Sequence, residues 1–70
     1  MNINIKYQLW KIRTEQQLSS RQLAKLSGVS KTTINDIENH RHSPTIYTLC
    51  LLAEALQIPP EKLYSYEIIP

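Results

Sequence analysis

Seventy residues, with eight Lys and Arg against six Asp and Glu and a single cysteine, leave room for one small domain and exclude most enzyme architectures. A chain this short buries only about 60% of its unfolded surface, so its core has to be compact and efficiently packed. The modest net charge of +2 hides a polarity: residues 1–42 carry seven basic and three acidic side chains, net +4, whereas residues 43–70 set Lys62 against Glu54, Glu61 and Glu67, net −2. Such a division suits a polyanion on one side of the domain.

Helices are favoured along the chain, because the only glycine is Gly28 and all four prolines lie at position 44 or later. Ile5, Leu9 and Ile12 recur at i, i+4 and i+7, which predicts a first helix over 4–16 with Trp10 off the apolar stripe. Ser19 followed by Gln22 forms a capping box and starts a second helix over 20–27, with Leu23, Ala24 and Leu26 on its apolar side and Gly28 placed to end it. Ser30 caps a third helix over 31–39, whose buried stripe is Ile34 and Ile37. The polar segment Asn39 to Pro44 is a loop. Thr45 then caps a fourth helix, with Ile46, Leu49, Leu52, Ala53 and Leu56 at helical spacing, and Pro59-Pro60 stops it. Pro60 and Glu61 open a short fifth helix through Tyr66. The expectation is an all-α domain of five short helices filling residues 1–70.

The second and third helices carry a mechanical signature. Ala24, Gly28 and Ile34 are spaced so that a small residue lets the helices cross closely, a glycine makes the turn, and an isoleucine plugs the angle between them. With the caps at Ser19 and Ser30, this is a helix-turn-helix pattern.

Over residues 5–66, leaving a short tail at 67–70, the sequence resembles the Cro/CI-type helix-turn-helix family, also called Xre or lambda-repressor-like. The matching residues are Leu18-Ser19, Leu23-Ala24, Gly28-Val29-Ser30, Ile34, Ile37-Glu38-Asn39, Arg41, Pro44, Thr48-Leu49, Leu52-Ala53 and Ala55-Leu56. The resemblance implies five helices, the third inserted in the major groove of double-stranded DNA, and a transcriptional regulator, by expectation a repressor, bound as a homodimer to a two-fold operator. It also implies an ion pair between Arg13 of the first helix and Glu38 of the third. Three positions depart from the family pattern: His40 and Gln57 stand where left-handed glycines are usual, and Pro59 where Ser or Thr caps the last helix.

Side-chain chemistry is compatible with the implied roles. Lys31 can donate to guanine, Asn35 can bond adenine bidentately, Thr32 offers a hydroxyl or a methyl, and Asp36 can accept from cytosine. Ser20 and Arg21 at the start of the second helix, Thr33, and Asn39, Arg41 and His42 after the third are suited to backbone phosphates. His40 and His42 make a poor zinc site without cysteine or carboxylate at ligand spacing, so neither metal nor cofactor is expected.

One cysteine closes no internal disulfide, which points to a reducing cytoplasm and makes Cys50, in an apolar run, a small core residue. No apolar stretch reaches a membrane span, and the first residues lack a secretory signal's apolar core. No paired carboxylates, nucleophile set or glycine-rich phosphate loop supports catalysis. The rival reading keeps the fold and adds a protein partner, as an antitoxin or immunity-type regulator, with Tyr47, Leu51, Tyr64, Tyr66, Ile68 and Ile69 as candidate contacts. For Tyr64 to Ile69, folding back on the core, self-dimerisation and partner binding all remain open.

Overall fold

A computed structural model describes all 70 residues. The order is β1 (Asn2–Tyr7), α1 (Leu9–Glu15), α2 (Ser20–Ser27), α3 (Lys31–Glu38), α4 (Ile46–Leu56), a 3-10 turn (Pro60–Leu63) and β2 (Tyr64–Ile69). Four α-helices, not five, form the body, and the domain is not all-α: its two ends pair as an antiparallel ribbon, Asn2 opposite Ile69 through Tyr7 opposite Tyr64.

Both departures have one cause. Asn-Ile-Asn-Ile-Lys-Tyr and Tyr-Ser-Tyr-Glu-Ile-Ile alternate with period 2 and are rich in branched and aromatic residues, which suits strands. Ile5 shares the helical spacing of Leu9 and Ile12 by coincidence. It lies exposed in β1, and the helix begins only at Leu9. At the other end the helix expected through Tyr66 is a 3-10 turn of four residues, because Pro59 gives no side-chain cap and the β-favouring run starts at Tyr64. Residues 64–69 fold onto β1 and not onto the helical core. The Gln8 amide donates to the Leu63 carbonyl at 2.7 Å, joining the roots of the two strands.

Helix starts follow the polar signals closely. Ser19 accepts from the Gln22 amide while the Gln22 side chain accepts from the Ser19 amide, and Ser30 and Thr45 accept from the amides of Thr33 and Thr48. Leu9, Leu23, Ile34, Ile37, Leu52, Ala53, Leu56 and Leu63 are essentially inaccessible and, with Val29 and Leu49, make one core. Three expected core residues stand outside it. Ile46 shares the angle of the α4 stripe but lies a turn beyond the core's edge, 73% exposed. Cys50 is exposed because it lies about 200° around the helix from Leu52. Leu26 is exposed on the flank of α2, whose buried face is centred on Leu23 and Ser27.

His40 and Gln57 do adopt left-handed backbone, both at φ 58°, and so does Gln17 at φ 59°, which carries no glycine-like signal. Gln17 makes the turn out of α1, where the Leu18 amide returns to the Arg13 carbonyl. Beside it, the Gln16 side chain donates to the Leu56 carbonyl at 2.9 Å, satisfying a helix end of α4 that its own turn leaves open.

Candidate nucleic-acid interface

The geometry of α3 is set from behind. Ile34 and Ile37 are fully buried, which fixes the rotation of the helix and turns Thr32, Asn35, Asp36 and Asn39 to the opposite side, with Lys31 at its edge. Lys31 and Thr32 are exposed; Asn35 and Asp36 are half-buried. Ser30 anchors the first turn twice, accepting from the Thr33 amide at 3.1 Å and donating to the Thr33 hydroxyl at 2.9 Å. That bond holds Thr33 half-buried against its cap, off the outward row.

The far end of α3 is clamped to α1. Arg13 Nε and Nη2 donate to the two carboxylate oxygens of Glu38 at 2.8 and 2.9 Å, and Nη1 donates to the Leu18 carbonyl at 2.8 Å. The two side chains are 12% and 7% exposed. The hydrogen bond to Glu38 raises the Arg13 pKa above its ordinary range, outweighing the opposing effect of burial. The pair implied by the sequence is therefore present, with a third bond, to the α1–α2 loop, that no sequence signal announced.

Asp36 and Arg41 come together as well. Arg41 approaches the Asp36 carboxylate at 3.2 Å through Nη2 and 3.3 Å through Nε, and its amide donates to the Asp36 carbonyl. The left-handed turn at His40 brings the chain back for this contact. Asn39 donates from its side chain to the Asn35 carbonyl at 2.8 Å. His42 is placed elsewhere: with His40 and Ser43 it lines an open groove against β1, facing Asn4 and Lys6.

Pairing decides the electrostatics of this face. Glu38 is matched by Arg13 and Asp36 by Arg41, while Arg21, Lys25 and Lys31 enter no ion pair. Ser20 is half-buried in the first turn of α2 and Arg21 is exposed beside it. The helix pair thus offers cations, amide hydrogens at two helix starts and a short row of hydrogen-bonding side chains, a combination suited to phosphates and base edges.

Comparison with known proteins agrees with this geometry. The helix-turn-helix family profile matches residues 11–63. An HTH-type transcriptional repressor, RghR of Bacillus subtilis (strain 168), is 47% identical over 57 residues, which cover 80% of this chain and 42% of that protein. The chain therefore spans less than half the length of that curated relative. The restriction-modification controller protein C.AhdI from Aeromonas hydrophila superposes with a TM-score of 0.76 at 31% identity, over 79% of this chain and 83% of that one. An HTH_3 family transcriptional regulator from Vibrio cholerae gives a TM-score of 0.74 at 40% identity, over 76% of this chain and 30% of the other.

Proposed function

The chain belongs to the helix-turn-helix family, of the Cro/CI type, and from that premise we propose that it is a transcriptional regulator, a repressor, that binds double-stranded DNA sequence-specifically through α3 and performs no catalysis. One observation carries the reading. Thr32 and Asn35 point away from a fully buried Ile34 and Ile37 with Lys31 at the edge of the same side, and the three side chains have no hydrogen-bond partner within the protein, so their donors and acceptors remain available to a base edge.

In this reading Lys31 donates to guanine, Asn35 bonds adenine, Thr32 meets a thymine methyl or an acceptor, and Asp36 accepts from cytosine. Ser20, Arg21, Thr33, Asn39 and Arg41 meet backbone phosphates and set the register, and His42, turned toward β1, is left out of that set. The Arg13–Glu38 pair holds α3 at the angle the groove requires. The protein acts in the cytoplasm as a homodimer, with two reading helices about 34 Å apart on half-sites one turn from each other. No helix is long and apolar enough to cross a membrane.

Selection of binding sites from random duplexes, with Lys31→Ala and Asn35→Ala beside the wild type, tests the assignment. Each variant is expected to lose preference at one base position, by about 1–3 kcal/mol. Uniform weakening at every position would instead make both residues phosphate contacts and overturn the base-reading role.

A further inference from the structure

The register of the ribbon sorts its side chains by face. Residues directly opposite in an antiparallel pair share a face, so Ile3 with Ile68, Ile5 with Tyr66, and Tyr7 with Tyr64 make one side entirely of branched and aromatic groups. The other side carries Asn2, Asn4 and Lys6 against Ile69, Glu67 and Ser65, and there Glu67 accepts from Asn4 at 3.3 Å and lies 3.9 Å from Lys6. The apolar side is not covered: Ile3, Ile5, Tyr66 and Ile68 are 55%, 47%, 61% and 58% exposed. It continues without a break into the body, where Ile5, Tyr7 and Tyr64 share a groove with Pro44 and the exposed Ile46.

We propose that this apolar ribbon face, with Ile46 at its border, is where two copies of the chain join, face against face about a two-fold axis. The proposal rests on the dimeric reading above and gives it an interface.

Three arguments select a second copy as the occupant. A two-fold contact sets one surface against its own copy, so a charge near the axis would face its own kind; this face has none, since Lys6 and Glu67 are on the other side. Area is adequate: at about 150–250 Å² for each large side chain, the exposed fractions of Ile3, Ile5, Ile46, Tyr64, Tyr66 and Ile68 leave roughly 500–800 Å² per copy, comparable with the ~800 Å² per partner of a standard stable interface. Lastly, an isolated two-stranded ribbon is marginal in water. This one has few contacts with the helices beyond its roots, and a facing ribbon about 10 Å away supplies the missing layer.

Sedimentation equilibrium of the full chain over a wide concentration range tests the interface. The wild type is expected to be a dimer. Ile5→Lys and Tyr66→Lys are each expected to raise its dissociation constant at least about 100-fold, because a charge is buried without a partner. Ile69→Lys, on the polar side, is expected to leave it unchanged. Ile5→Thr and Tyr66→Thr keep strand preference and guard against a ribbon that merely unfolds; they are expected to weaken the dimer with the helical circular dichroism intact. A wild type that stays monomeric, a dimer that survives both lysine variants, or an Ile69→Lys effect as large as theirs overturns the proposal. Base preference is measured separately on a single half-site duplex, where Tyr66→Lys is expected to match the wild type. Loss of preference in the wild type itself would indict the α3 reading, whereas sedimentation decides the interface.

Discussion

Arg13 and Glu38, 25 positions apart, meet through two hydrogen bonds of 2.8 and 2.9 Å and so join the first helix to the end of α3. Both are largely buried, so removing one partner strands the other charge in a poorly solvated site. Arg13→Ala is expected to cost about 3–5 kcal/mol of stability, read as a lower melting temperature by circular dichroism, and to reduce DNA affinity. An unchanged melting temperature would refute the clamp. The sign of the pH dependence follows from the raised Arg13 pKa. A group whose folded pKa lies above its unfolded value contributes fully below the unfolded one and loses that contribution only as pH rises through the folded one. For arginine that window is strongly alkaline. The stability gap between wild type and Arg13→Ala is therefore expected to hold constant from neutral to moderately alkaline pH.

Asp36 and Arg41 lock each other in the free protein, yet one is assigned to a base and the other to a phosphate. Arg41 is 64% exposed and Asp36 36%, so the pair itself adds little stability, and its effect lies in charge placement. Asp36→Asn is expected to strengthen binding to unrelated duplexes, by removing an anion from the interface and releasing Arg41, while erasing preference at one position. Arg41→Ala is expected to lower the slope of log affinity against log salt by about one. Fluorescence anisotropy titrations across a salt series measure both, and an unaltered slope in Arg41→Ala would remove Arg41 from the phosphate contacts.

The helical core and the outward side of α3 are legible because each signal is local. Ser19 with Gln22, Ser30 and Thr45 announce helix starts by side-chain chemistry a few residues away, and Ile34 with Ile37 fix which side of α3 faces out. The ribbon was not legible in the same way. Its strands lie at opposite ends of the chain, and Asn2-to-Ile69 pairing has no turn residues to mark it. Ile5 also fits two periods at once, as the start of an i, i+4, i+7 stripe and as a member of an alternating run. The contact of Asp36 with Arg41 depends on the left-handed turn at His40, and spacing alone does not reveal where such a turn sends the next side chain. Ile46 and Cys50 stand outside the core for simpler reasons, since apolar character alone says neither where the core ends nor which way a helix residue faces.

Ser30 is expected to matter for binding as well as folding. Its hydroxyl is the only cap on the turn that carries Lys31 and Thr32. Ser30→Ala is expected to cost about 1 kcal/mol and to lower affinity through fraying of that turn. Ser19→Ala is expected to cost a similar amount without altering base preference, because the capping box it breaks lies at the start of α2. Thermal melts paired with anisotropy titrations separate the two outcomes.

Gly28 and Gln57 end helices in the same left-handed conformation, at φ 78° and φ 58°, with opposite residue types. A Cβ at Gly28 would meet no atom within 4 Å, so Gly28→Ala carries the backbone penalty alone, about 1–2 kcal/mol. Gln57 already bears that penalty, and its side chain makes no hydrogen bond that would be lost. Gln57→Gly is therefore expected to stabilise the protein by up to about 1 kcal/mol, a rise in melting temperature of roughly 4–8 °C for a domain of this size. Both variants leave the outward side of α3 untouched, so DNA affinity is expected to stay constant below the melting transition. A melting temperature that falls in Gln57→Gly would mean that the Gln57 side chain supports the end of α4 through packing that outweighs its strain.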